Sequence, residues 1–338
     1  MRVLYGVQAT GNGHITRARV MAPELEKAGV KVDYLFSGRE PENLFNMEPF
    51  GEYRCRRGLT FYMQGSRVSR WQTLTKNSVV RLIRDVKEID LSTYDLVITD
   101  FEPVSAWAAK LQGVKCVGLA HQYAFLHELP DTKSDRFLKA QVKLFAPADI
   151  PIGLHWNHFD QAIFPPLIQP AANQSTLIPR KVVVYLPHDG LERIQPIFKR
   201  CPDIDFHIYA AIDRPEADGN CHIKAFSRVG FQKDLAECEG VICNAGFGLL
   251  SEALQYGKKI MTIPQLGQVE QESNAEILQI LNLGTVVTAL ESNQVTAWLE
   301  QSSPQLLPIP NMASLFSAWI ASGCKASIET LLGKAWSK

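Results

Sequence analysis

At 338 residues, 46% hydrophobic and 21% charged, the chain can bury two cores of about 150 residues each, and its composition excludes a disordered or fibrous protein. Thirty-five basic residues balance 35 acidic ones, so the molecule as a whole carries no net charge to draw nucleic acid. The seven cysteines (Cys55, Cys116, Cys201, Cys221, Cys238, Cys243, Cys324) form no C-x-x-C pair, and neither a signal-like leader nor about 18 consecutive apolar residues occurs, so reduced core thiols in a soluble cytoplasmic protein are expected.

Apolar runs of strand length alternate with helical patterns, which predicts an α/β protein built from two parallel-sheet units in series. Strands are expected at 3–7, 32–36, 96–99, 116–119 and 150–153 in a first domain, 1–160. Residues 161–180 hold Pro165, Pro166 and Pro170 among polar residues and read as a linker. A second domain, 181–311, has expected strands at 182–186, 206–209, 223–226, 241–243, 260–263 and 285–288. Helical spacing with a break near Gly323 covers 312–338.

The first strand runs into Gly11-Asn12-Gly13-His14 and then a helical pattern. Gly11-x-Gly13 is a partial dinucleotide fingerprint, with Thr16 at the third glycine position. His14 lies at the C-terminal end of a strand, where α/β sites are built, and its imidazole can accept a proton near neutral pH. Two carboxylates, Asp100 and Glu102, follow another strand; either can orient His14 or replace it as base, and Asp100 can equally cap the helix beginning at Pro103. His121 follows a third strand, facing acceptor or phosphate, or buried as a structural histidine. Between Arg54 and Arg84 eight basic residues, Arg57, Arg67 and Arg70 among them, occur with no acidic one, interleaved with aromatic side chains. Such a surface suits a phosphorylated or acidic acceptor or an anionic membrane, or is a solvated face balanced by acids elsewhere. Asp203-Ile204-Asp205 has the D-x-D form of some metal sites but sits among turn signals; with no His/Cys cluster evident, no essential metal is expected.

The densest signal lies at 241–276. The run Val241-Ile242-Cys243 halts at Asn244 and Ala245 and enters a turn in which Gly246 and Gly248 leave the backbone bare, before a helix carrying Glu252. Bare amides and aligned peptide dipoles at a helix start favour a phosphate, and Glu252, about one turn in, is placed to meet an attached sugar. After a strand ending at Pro264, the run Gln268 to Asn274, with Glu270, Gln271 and Asn274, offers side chains for several hydroxyls.

Ala245-Gly246-Phe247-Gly248, Ser251-Glu252-Ala253, Gly257, Pro264 and Gln271-x-x-Asn274-Ala275 together resemble the donor-binding signature of GT-B nucleotide-sugar glycosyltransferases. The Gly11-x-Gly13-His14 loop is similar to that of the transferase that adds N-acetylglucosamine in lipid II synthesis. The resemblance departs at Leu249, where relatives place Ser or Thr, which leaves a diphosphate to backbone amides alone. It implies an α/β, GT-B fold of two Rossmann-like parallel-sheet domains facing an interdomain cleft, with the 312–338 helices returning to the first domain. It implies too that His188, Asp189 and Gly190 lie beneath the diphosphate, that Phe226 and Ser227 border the nucleobase, usually uracil, and that the arginine-rich stretch meets the acceptor. The implied reaction is transfer from a nucleotide sugar, a UDP-sugar, to an acceptor glycan, lipid or small molecule, inverting and without metal or cofactor. A nucleotide-sugar 2-epimerase of the same fold and a non-catalytic sugar-nucleotide-binding partner of another transferase remain the alternatives. Peripheral contact with an anionic membrane is compatible with it, and no nucleic-acid partner is expected.

Overall fold

In the computed structural model, residues 1–59, 63–64, 67–68, 78–133, 136–171, 176–304 and 306–337 are described. They form two seven-stranded sheets in sequence. The first comprises β1 (Arg2–Gln8), β2 (Lys31–Ser37), β3 (Tyr53–Arg56), β6 (Leu96–Asp100), β7 (Cys116–Ala120), β8 (Ile150–Leu154) and β9 (Ile163–Phe164), ordered β3-β2-β1-β6-β7-β8-β9 and parallel throughout. Its helices are α1 (Asn12–Lys27), α2 (Val79–Lys87), α3 (Pro103–Gln112) and α4 (Arg136–Phe145). A small antiparallel pair, β4 (Met63–Gln64) and β5 (Arg67–Val68), stands apart.

The second sheet comprises β10 (Lys181–Tyr185), β11 (Asp205–Ala210), β12 (Glu216–Asp218), β13 (Cys221–Ala225), β14 (Gly240–Cys243), β15 (Lys259–Thr262) and β16 (Thr285–Val286), ordered β12-β13-β11-β10-β14-β15-β16. Only β12 among these pairs antiparallel. Five helices accompany it: α5 (Leu191–Phe198), α6 (Arg228–Glu237), α7 (Phe247–Gln255), α8 (Val269–Ile280) and α9 (Ser292–Leu299).

The central strands are buried on both faces, which is why Val3, Leu4, Tyr5 and Val7, or Val182, Val183 and Val184, read as continuous apolar runs. Three strands of the two large sheets escaped the sequence analysis. Ile163 and Phe164, assigned to the linker, pair with β8 and are fully buried, so the crossing to the second sheet begins only at Pro165. Two residues are too short for alternation to register. β3 alternates half-buried Tyr53 and Cys55 with arginines, and β12 is an exposed edge strand; neither buries enough apolar surface to show a pattern.

After the second sheet, α10 (Met312–Ala321) and α11 (Ile328–Trp336) return to the first. The left-handed residues Gly323 and Cys324 break the helix, and Ser327 caps its continuation by accepting from the Thr330 amide at 3.3 Å. Met312, Phe316 and Trp319 share a core with α1, and Trp336 donates its indole N–H to the Ile163 carbonyl at 2.8 Å. That core also takes in Ala245, Phe247 and Leu250, so apolar packing runs from one sheet to the other. No helix among the described residues is long and apolar enough to cross a membrane.

Candidate functional site

The C-terminal ends of the two sheets face each other. On one side β14 ends at Cys243 and Gly246 caps α7; on the other β1 ends at Gln8 and Gly11 caps α1, and neither helix start receives a hydrogen bond from a side chain at its cap. A side chain built on Gly246, Gly11 or Gly13 would meet nothing within 4 Å, and one on Gly248 would come 4.0 Å from the Gly13 Cα. Two bare helix N-termini thus converge on one open gap. First-turn amides uncapped by side chains, together with two aligned dipoles, give that gap the character of an anion site.

His14, in the first turn of α1, is oriented from below. Its Nδ1 lies 2.6 Å from Asp100 Oδ1, and Asp100, at the end of β6 and fully buried, also accepts from Arg17 Nε at 2.7 Å and Nη2 at 2.5 Å. Burial pushes the Asp100 carboxyl up, but Arg17 and His14 outweigh it and hold it below the ordinary aspartate value. Facing an ionised carboxylate, Nδ1 carries its proton. The 2.8 Å approach of Arg17 Nη2 to Nδ1 is therefore two donors converging on one oxygen, not a bond between them. Nε2, which has no hydrogen-bond partner among the described residues, is left with a free lone pair.

Glu102, the other carboxylate candidate, is corrected by the structure. It is the N-cap of α3, accepting from the Val104 and Ser105 amides at 2.8 and 2.6 Å and from the Ser37 hydroxyl at 2.6 Å, with no exposed surface. Capping belongs to Glu102 rather than Asp100 because only Glu102 sits immediately before the helix. His121 is likewise not an acceptor contact. Its ring is buried, Nδ1 lying 2.8 Å from the Leu154 carbonyl and Nε2 2.8 Å from Asn274 Oδ1, and it stacks on Phe247 with centroids 3.9 Å apart.

The same interface takes the Phe247 side chain out of the gap, against His121 and Trp156, leaving only its backbone there. Asn274 donates to the Ala245 carbonyl at 3.0 Å, and Gln271 is tied at both ends to Gln265. Their amides, expected on sugar hydroxyls, instead hold the loops in place.

The remaining candidates stay near the gap or outside the account. Glu252, 8% exposed, accepts from Gln232 at 3.0 Å through one oxygen; burial raises its carboxyl above the ordinary value, with Gln232 and Arg228 opposing. Glu270 accepts from Gln122 of the first domain at 2.8 Å. Leu249 packs partly against the core, offering the gap no hydroxyl. The side chain of Asn12 accepts from Arg39 at 3.0 Å and lies beside the Tyr185 hydroxyl, which brings the end of β10 to the gap. Beyond Tyr185, His188 is exposed and Asp189 half-buried, and Gly190 starts α5 with Glu192 folded so closely over it that a Cβ would lie 1.9 Å from Oε1. Phe226 is 46% exposed and edge-on to Tyr185, and Ser227 is spent as the cap of α6. Arg57 is exposed; the side chain of Arg67 and the whole of Arg70 lie outside the described residues.

Two participants, Arg17 and Arg39, went unnoticed in the sequence. Arg17 and Arg39 carry no motif; their partners, Asp100 and Asn12, lie far off in the chain or on a neighbouring loop. Gln122, Asn244 and Gln268 each keep a buried side-chain oxygen with no partner, acceptors that sugar hydroxyls can satisfy. The expectation that no His/Cys cluster exists also needs correction. Asp205 is not in a turn but opens β11, where its carboxylate meets His207 and His222.

A profile of glycosyl transferase family 1 matches residues 1–302. No curated protein sequence matches. Among solved structures, the glycosyltransferase SnogD from Streptomyces nogalater is 17% identical and superposes over 98% of both chains with a TM-score of 0.60. The kitacinnamycin glycosyltransferase, 14% identical, covers 98% of this chain and 99% of its own with a TM-score of 0.62. The spinosyn rhamnosyltransferase SpnG, solved with thymidine diphosphate, is 12% identical over 96% of both chains, with a TM-score of 0.60. At these identities the structures establish a common GT-B fold, and the profile match establishes more: the chain belongs to glycosyl transferase family 1 and is a glycosyltransferase.

Proposed function

We propose that the protein transfers a sugar from uridine diphosphate to an acceptor hydroxyl with inversion and without a metal. The observation that carries this reading is the pairing, in one gap, of the bare N-terminus of α7 with a His14 whose Nδ1 is bound to Asp100. His14 Nε2 takes the proton from the acceptor hydroxyl as its oxygen forms a bond to the anomeric carbon, and the bond from that carbon to the diphosphate oxygen breaks. The departing diphosphate is stabilised by the amides and dipoles of α7 and α1, which stand where a cation would otherwise be needed. A single displacement of this kind inverts the anomeric carbon. In this reading Glu252 and Glu270 meet ribose or sugar hydroxyls, and His188, Asp189 and Gly190 border the diphosphate.

A thymidine diphosphate sugar is the second reading, favoured by the thymidine diphosphate held by SpnG. For the acceptor side, α2 presents Val79, Val80 and Ile83 to solvent beside exposed Arg81, Arg84 and Lys87, a face suited to an anionic membrane carrying a lipid acceptor.

Calorimetric titration with UDP and with thymidine diphosphate, in EDTA, tests the donor assignment. One nucleotide should bind, and Gly248→Val, which fills the space toward Gly13, should weaken it at least tenfold. Binding of neither, or equal binding to Gly248→Val, rejects the site.

A further inference from the structure

We infer that Asp205, His207 and His222 form a binding site for a late first-row divalent cation, zinc above all, on the face of the second sheet away from the sugar-transfer gap. The reason begins with strand periodicity. Asp205 and His207 are two apart on β11, hence on one face, and the parallel register sets His207 beside His222 on β13. Two side chains from β11 and one from β13 thereby converge, with one ligand atom from each lying within 4.8 Å of the others.

The hydrogen-bond geometry then selects a cation. His207 Nδ1 lies 3.2 Å from Asp234 Oδ2. Asp234 is itself nearly buried and ringed by donors: Lys181 at 2.9 Å, Lys224 at 2.6 Å and the Tyr209 hydroxyl at 2.7 Å. With the Asp234 oxygen as its neighbour, Nδ1 of neutral His207 is the donor, so its Nε2 presents a lone pair toward the cluster. That lone pair faces Asp205 Oδ2 at 3.1 Å, while His222 Nε2 faces Asp205 Oδ1 at 2.6 Å. Lone pair against carboxylate is repulsive unless something positive lies between them. Neutral His222 can meet Asp205 Oδ1 by donating from Nε2, but the His207 lone pair and Asp205 Oδ2 cannot satisfy each other, and a cation shared by the three groups resolves that contact.

Two imidazoles and a carboxylate are a donor set that zinc accepts at about 2.0–2.2 Å, with an open position for water. An anionic residue fixing the far nitrogen of a ligating histidine, as Asp234 fixes His207, is the arrangement that raises ligand basicity at metal sites. The half-exposed His222 and Asp205 leave an entry path from solvent. Asp205 stands at the beginning of β11, whereas the sugar-transfer gap lies at the opposite, C-terminal ends of the strands, so this cation would serve stability rather than the transfer chemistry.

Zinc alone is the probe. The metal-free protein should take up one equivalent of Zn2+ near pH 7.5 in competition with a chromophoric chelator. Co2+ in its place should give visible absorption bands of a nitrogen- and oxygen-ligated ion. His222→Ala and Asp205→Asn, both altering half-exposed groups, should each weaken uptake at least tenfold, whereas His188→Ala should not. Zn2+ should also raise the thermal midpoint of the wild type but not of His222→Ala. Uptake unaffected by His222→Ala and Asp205→Asn, or no uptake by the wild type, overturns the assignment. Retained UDP or thymidine diphosphate binding alongside either outcome keeps this test separate from that of the transferase site.

Discussion

Replacing Asp100 by Asn separates what the carboxylate does for His14 from what it does for the fold. Asp100 is fully buried and receives three contacts, from His14 Nδ1 at 2.6 Å and from Arg17 at 2.7 and 2.5 Å. An amide keeps one acceptor oxygen and turns the other position into a donor. If the amide oxygen stays with Arg17, the NH2 group faces His14 Nδ1 and drives its proton to Nε2, the nitrogen that must be free to act as base. If the oxygen stays with His14, a buried guanidinium faces a donor. In both arrangements Arg17, 6% exposed, loses its counter-charge.

Breaking a buried pair from one side costs about 3–5 kcal/mol, or about 4–7 °C in thermal midpoint for 338 residues unfolding together. The base itself is worth about 10²–10⁴ in kcat. His14→Ala should therefore lower kcat by that factor with little change in midpoint, and Asp100→Asn should lower both. Groups acting as one unit lose activity only once, so the double variant should match the poorer single variant in kcat. The assay is nucleotide release from a labelled donor with acceptor, beside scanning calorimetry. Multiplicative losses in the double variant, or Asp100→Asn within threefold of wild-type kcat, would refute the pairing.

Glu102→Gln should instead cost about 1–3 kcal/mol of stability, by setting an amide donor against the first-turn amides of α3, and leave kcat unchanged; a large kcat loss in a fully folded variant would return Glu102 to the chemistry. Glu252→Ala should raise the donor Kd about tenfold through lost hydroxyl contacts and spare kcat, as titration and turnover together will report. In acid, Asp100 and Asp234 should dominate: burial pushes both carboxyls up, but their cationic and hydrogen-bonding neighbours hold them below the ordinary aspartate value. A depressed carboxyl adds stability that is complete above about pH 4 and is lost as pH falls through its folded value. The wild-type midpoint should drop in that range, and more steeply than that of Asp234→Asn; parallel curves would contradict it.

Local chemistry in the chain was enough for the α/β class, most strands of both sheets and the two glycine turns. Buried parallel strands must be apolar on both faces, and a strand that hands over to a helix through Gly246 or Gly11 leaves a trace in composition. Strands of two or three residues, such as β9 and β12, are too short to leave one. The role of each side chain was a different matter. Asp100 and Glu102 are two residues apart at the end of one strand and look equivalent; one turns to α1 and the other caps α3. Gln271 and Asn274 match a ligand-binding pattern, yet spend their amides on Gln265, Ala245 and His121.

Periodicity and turn chemistry are properties of neighbours in the chain, so the sequence by itself determined the order of most strands and helices and the glycine-bearing helix starts. Pairings between distant residues depend on sheet register and on how the two halves meet. Only the tertiary structure could bring Asp100 to His14, Gln122 to Glu270, and His222 to Asp205 and His207, because each contact joins elements that backbone hydrogen bonding and core packing, not local propensity, set side by side.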